Sequence, residues 1–169
     1  GGWFLYWFQY VVDRDVTGKP ILRGPAPRHV VHHVSGMKSY SPMPCRIRKV
    51  AEVSPPKGGD PAPMRAAAKR YVGKVHALGL SDNRDGVCMS AAAAASLVTA
   101  EGIEPILHVT TRDRNRVALV SDCLGAQAMG IRNLLCTTGS HQTLGAARNA
   151  KNVFDVDSIG LARILARLN

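Results

Sequence analysis

The stretch Glu101–Gly139, EGIEPILHVTTRDRNRVALVSDCLGAQAMGIRNLLCTTG, decides the fold. Residues 104–111 (EPILHVTT) form a short apolar run that reads as a buried strand. Asn115 then opens a helical pattern that runs to about Met129 and is closed by Gly130. Residues 131–138 (IRNLLCTT) form a further strand. A strand, a helix and a strand in this order, with near-continuous apolar strands, imply a parallel sheet covered by helices.

The same unit repeats outward. Residues 49–54 (KVAEVS) predict a strand stopped by Pro55-Pro56. Asp60 caps a helix with Pro61 at its first position, running to about Val72. Residues 75–81 (VHALGLS) predict a second strand, and Ser90 opens an Ala-rich helix that ends at Gly102. After a loop of about eighteen residues, Asp157 or Ser158 caps a last helix, IGLARILARL. Strand and helix thus alternate four times. The pattern fits both an open doubly wound sheet and a piece of an eight-fold barrel, and no glycine-rich phosphate loop follows any strand.

Composition narrows the class. The 169 residues suit one domain, and 46% apolar with 20% charged residues allows a packed core. No apolar run is long enough to span a membrane. The four cysteines (Cys45, Cys88, Cys123, Cys136) lie far apart without a C-x-x-C, which excludes a zinc ribbon or disulfide-dense module. The net charge is +10. Residues 1–49 hold eight Lys/Arg against two Asp/Glu, a net +6; residues 50–169 hold fourteen against ten, a net +4. The excess lies in a Gly-, Pro- and His-rich segment that reads as extended or loop structure. Six of nine aromatic residues fall within the first ten positions, apart from the basic residues, so a nucleic-acid module is not indicated. His29, His32 and His33 have no companion acid cluster, and no metal site is expected.

In parallel α/β folds the working residues gather where strands end. On the first strand, Ala51 and Val53 suit the helix side, which turns Glu52 to the other face. A carboxylate there is either desolvated, with a raised pKa that suits a general acid, or ion-paired to Arg or Lys. The second strand ends in Ser81-Asp82-Asn83. The third carries His108 and Thr110 on one face, His108 being a core histidine or a catalytic one. The RDRNR run at 112–116 offers helix caps and a solvated face, or forked donors for an anion. The fourth strand ends in Thr138-Gly139-Ser140-His141, where small residues let a backbone approach a flat or phosphorylated ligand.

At these residues the chain resembles a known family. The stretches VAEVSPPKGGDP, LSDN, EGIEPILHVTTRDRNRVALVSDCLGAQAMGIRNLLCTTG and AKNVFDVDSIGL are similar to the first half of methylenetetrahydrofolate reductase. The resemblance spans residues 49–168; residues 1–48 form a basic, aromatic- and Pro/Gly-rich irregular extension outside it. It implies a (β/α)8 barrel of which residues 49–169 hold the first four βα units, a half barrel. It implies an enzyme of one-carbon metabolism, using FAD and electrons from NADH or NADPH to reduce methylenetetrahydrofolate to methyltetrahydrofolate; a cytoplasmic location is expected separately, from the lack of a recognisable targeting signal. Residue by residue, it makes Glu52 the general acid and His108 a flavin contact. It makes Thr138, Gly139 and Ser140 flavin contacts after the fourth strand, and Phe154 and Asp155 the segment closing over the flavin. Ser140 departs from the family's usual Asp, and Gly79 from a common Thr. Four strands leave two sheet edges, so a homo-oligomer or a partner chain completing the barrel is expected. The alternative is a non-catalytic or degenerate barrel subunit docking in a methyl-transfer complex.

Overall fold

The computed structural model describes residues 49–168, together with the backbone of three short strands nearer the amino terminus. Those strands are β1 (Phe4–Tyr6), β2 (Val11–Arg14) and β3 (Pro20–Arg23). The main domain runs β4 (Val50–Val53), α1 (Ala62–Lys69), β5 (Ala77–Leu80), α2 (Ala91–Ala100), β6 (Glu104–Thr110), α3 (Arg116–Ala128), β7 (Asn133–Thr137) and α4 (Ser158–Leu168). The expectations placed on His29, His32, His33 and Cys45 lie outside the described residues.

Helix boundaries follow local chemistry. The Asp60 carboxylate accepts from the Ala62 N–H (2.9 Å), beside Pro61. Ser90 Oγ accepts from the Ala93 N–H (3.3 Å) and Asn115 Oδ1 from the Ala118 N–H (3.0 Å). Each satisfies a donor that the first turn leaves free. Helix α1 stops at Lys69 and not near Val72: the N–H groups of Arg70 and Tyr71 donate three residues back, to Ala67 and Ala68, and the chain then turns through Gly73 at φ +74°. On α4, the Gly160 N–H donates to Asp157 Oδ1 (2.6 Å).

The strands β4 to β7 pair in sequence order, all parallel, with Glu52 opposite Gly79, Gly79 opposite Ile106 and Ile106 opposite Asn133. Leu78, Leu80, Leu107, Val109, Leu134 and Cys136 face the helices and are buried against Met64, Ala94, Val98, Leu119, Leu161 and Leu165. This single-sided core rests on period-two alternation, which leaves Glu52, Gly79 and His108 on the opposite face. The domain is therefore an α/β sheet of alternating βα units, compatible with part of a barrel.

The extension contains regular structure that its composition did not announce. Strand β1 pairs parallel with β7, Phe4 opposite Asn133, and adds a fifth strand to the sheet; β2 and β3 pair antiparallel. Two cysteines are sealed in the core. Burial pushes the thiols of Cys123 on α3 and Cys136 on β7 up to about 12, with Asp122 adding to the first effect. Among the described residues, no helix is long and apolar enough to cross a membrane.

Candidate functional site

Where the strands end, three loops are tied together by buried charge. Asp82, at the end of β5, is 4% exposed. Its carboxylate accepts from the Thr110 N–H (2.9 Å) and from Arg114 Nη2 at 2.7 Å to both oxygens. Arg112 follows β6 and is 5% exposed. It grips Asp113 through Nε (2.7 Å) and Nη2 (2.9 Å) and donates to the carbonyls of Asn83 (3.0 Å) and Ser140 (3.2 Å). Gln142 Nε2 donates to the same Asp113 carboxylate (2.6 Å). One guanidinium thus joins the loops after β5, β6 and β7, because its planar fork reaches acceptors in several directions.

The RDRNR run divides its roles: Asn115 and Arg116 lie exposed at the start of α3, while Arg112 and Arg114 turn inward. Only Asn115 caps α3; Arg112 and Arg114 are spent on internal partners, Arg114 also reaching Asp122 at 3.5 Å. Arg84 and Gln142 carry no role in the sequence reading, and Asp82 and Arg112 appear there only as members of a polar strand end and of the RDRNR run. The polar cluster Ser81-Asp82-Asn83 was the visible signal for Asp82; nothing local marks Gln142.

A second group lies on the sheet face away from the helices. The Glu52 carboxylate meets Arg84 Nη1 at 3.0 Å and its side chain is 36% exposed. Of the two alternatives, the ion pair is present and deep burial is not. His108 stands near it: a Cβ placed on Gly79 would lie 3.0 Å from His108 Nε2. Burial holds this imidazole below its ordinary value of 6.5; Glu52 and Asp82 oppose that effect and Arg84 adds to it. Ser81 Oγ donates to Ser54 Oγ (3.0 Å) on the same face.

The other expected site residues occupy the loop after β7. Thr138 Oγ1 donates to Ser158 Oγ (3.2 Å) and accepts from the Ser158 N–H (3.1 Å), so it fastens the start of α4. Gly139 has φ +83° and packs on Thr110 and Arg112. Ser140 is exposed, its carbonyl held by Arg112. Phe154 has φ +43° and its ring lies 6.5 Å from that of His141. Asp155 binds the first turn of α3, accepting from Arg116 through its N–H (2.8 Å), Nε (2.9 Å) and Nη2 (3.0 Å). The structure thus gathers Glu52 with His108, and Gly139 with Ser140, and places Asp155 against α3. A cavity of about 250 Å³, lined by Asn83, Arg112, Asp113, Gln142 and Lys151 among others, lies beside this rim; none of the expected flavin residues lines it. Among the described residues no metal-binding cluster occurs.

The Arg116 contacts hold the Asp155 carboxyl down from 3.8 to about 2. A depressed carboxyl contributes stability that is present above its ordinary value and lost as the pH falls through the folded one. Acid unfolding of the chain is therefore expected to include a limb between pH 4 and pH 2 that Asp155→Asn flattens. Urea denaturation at stepped pH checks this; an unchanged limb would assign it to other carboxyls.

A parallel α/β domain with acid, imidazole and hydroxyl groups where its strands end is of the class that builds ligand sites on that rim. The sequence assigns it more closely. The family model for methylenetetrahydrofolate reductase matches residues 46–161, and the chain belongs to that family. No match was found among curated proteins.

Proposed function

We propose that the chain forms part of a flavin-dependent reductase that converts methylenetetrahydrofolate to methyltetrahydrofolate, working in the cytoplasm in one-carbon metabolism. The observation that carries this reading is the family match over residues 46–161, set on a sheet whose helix-free face carries Glu52 and His108. The four βα units then form part of a barrel. Where two free edges are expected, β1 already covers the outer edge of β7, so a second copy or partner chain would add its strands at β4 or beyond β1.

The residues present fit FAD in their donor chemistry. The ring edge of a flavin needs hydrogen-bond donors on a surface that a flat group can approach. Gly139 lacks a side chain, Ser140 carries a hydroxyl into solvent, and His108 supplies a ring nitrogen. These three, with Phe154 and Asp155 flanking the same loop, would hold the cofactor, whose chemistry is to carry a hydride from NADH or NADPH to the folate. Glu52 is the group that would pass a proton to the folate amine as its small ring opens, which requires bound substrate to displace Arg84 from the carboxylate. Arg84 fixes the direction of that carboxylate. Thr138 acts indirectly, by anchoring α4 beneath the loop.

A visible absorption spectrum of the purified chain, before and after adding FAD, tests the cofactor. A resolved protein-bound flavin band is expected; its absence with the partner half present would overturn the reading. In the flavin-loaded enzyme, Glu52→Gln is expected to slow folate reduction by about 10²–10⁴-fold while leaving flavin bound. A rate within a fewfold of the parent would remove Glu52 from the acid role. One observation favours the non-catalytic docking reading: His108 already fills the space above Gly79. That reading requires a stable complex with a partner barrel and no flavin band, both visible by size-exclusion chromatography with absorbance detection.

A further inference from the structure

The cavity beside the rim serves neither Glu52 nor the expected flavin residues. Its walls come from the loops after β5, β6 and β7, and it encloses about 250 Å³. A cavity of about 150 Å³ holds a benzene-sized molecule, so this one has room for a small organic molecule of about ten non-hydrogen atoms or fewer. The loops after β5 and β7 approach closely there: a Cβ on Gly86, at φ +109°, would stand 3.0 Å from Ala146 Cβ. The short side chains of Ala147 and Ala150 leave the space between the loops open. The polar groups of the lining are unevenly satisfied. Arg112 and Asp113 are spent on each other and on fixed partners. Gln142 is 7% exposed and gives an Nε2 hydrogen to Asp113. Its Oε1 accepts nothing from the described residues. Among these, Thr111 Oγ1 is the only unpartnered side-chain atom sealed from solvent, so Gln142 Oε1 is open to the space that its residue lines. Lys151 also lines the cavity and joins no ion pair among the described residues.

We propose that this cavity binds a small hydroxy carboxylate, its carboxylate on Lys151 and its hydroxyl donating to Gln142 Oε1. The charge of the lining selects the anion. Arg112 and Asp113 cancel, which leaves the single positive charge of Lys151 in excess. One carboxylate balances it, whereas a phosphate dianion would bring a second charge with no partner. The open acceptor selects the rest of the ligand. A carbonyl oxygen on a largely buried amide gains from a donor and gains nothing from a second acceptor, so the molecule must carry an O–H beside its carboxylate. The small apolar walls at Val87, Ala147 and Ala150 suit a short carbon chain. The ligand then lies among the three loops that Arg112 joins, and it shares no residue with the proposed flavin site.

The test follows the side-chain amide of Gln142 by nuclear magnetic resonance in the flavin-free full chain while glycolate, acetate or inorganic phosphate is added. Glycolate is expected to shift it saturably and to bind about threefold or more tighter than acetate, which lacks the hydroxyl. Lys151→Gln is expected to weaken glycolate about fivefold or more. Ala150→Leu is expected to abolish saturation by filling the space. Both positions are exposed, so the fold is expected to survive either change, which circular dichroism checks. The comparison of glycolate with acetate needs no variant and decides the matter even if one unfolds. No saturable shift, equal affinity for acetate, or an affinity indifferent to both variants overturns the site. Phosphate binding tighter than glycolate overturns the assignment to a carboxylate. A flavin band without the glycolate shift would sink this site and leave the reductase reading standing; the shift without a flavin band would do the reverse.

Discussion

Arg112→Met is expected to lower the stability of the domain by about 3–5 kcal/mol, the cost typical of breaking a buried ion pair from one side. Methionine keeps the length of the stem but removes every donor. The carbonyls of Asn83 and Ser140 then lose their partner, and the Asp113 carboxylate keeps only Gln142. Each acceptor left unpaired in a buried position adds its own desolvation cost. Arg112 is 5% exposed, so solvent compensates only in part, reaching these acceptors from the cavity beside the rim and at exposed Ser140. Arg112→Lys is expected to recover only a small part, since one ammonium cannot reach three loops at once. Urea unfolding followed by circular dichroism measures the loss. A loss below about 1 kcal/mol would show that the loops after β5, β6 and β7 are held in place by other contacts.

Gly139→Ala should be nearly as damaging, by a different route. An added Cβ would stand 2.6 Å from Thr110 Cγ2 and 3.2 Å from Arg112 Cβ, at a residue with φ +83°. Thr110 has little freedom to turn aside: its Oγ1 is within 3.0 Å of Thr137 Oγ1 and 3.3 Å of the Asp82 carbonyl. Backbone strain of about 1 kcal/mol and overpacking of about 1–3 kcal/mol then add, for a total of about 2–4 kcal/mol. Gly130→Ala provides the control. It shares a positive φ, +79°, but a Cβ there meets nothing within 4 Å, so only the strain of about 1 kcal/mol is expected. Thermal unfolding of the two variants side by side separates the terms. Equal losses would mean that the β7 loop gives way cheaply, and that Gly139 is needed only for its backbone angle.

The βα rhythm was legible because each helix carries its own punctuation. Ser90 and Asn115 cap the helices they were expected to open, and the four strands of the main domain fall inside their predicted ranges. Period-two alternation likewise places Glu52 on the face opposite the core, where the structure has it. What the sequence could not show is which distant groups meet. Arg112, Asn83 and Ser140 are separated by 28 and 29 positions and become neighbours only when three strands end side by side. Asp155 lies 39 positions from the Arg116 it binds. The close approach of His108 to Gly79 depends on the absence of a side chain on a neighbouring strand, and one strand's pattern carries no trace of that. The β1 pairing was hidden for a related reason: a three-residue strand carries too little periodicity to announce itself.

The sealed cysteines give the domain a clock of its own. Cys123 belongs to α3 and Cys136 to β7, and with both thiols pushed up to about 12 only about one in 10⁵ is thiolate at neutral pH. Alkylating reagents attack the thiolate, so in the closed domain these two sulfurs are silent. They become reactive only when the helix lifts from the sheet and water enters. The rate at which label accumulates on each sulfur therefore reports how often the α3–β7 layer opens, without any introduced probe.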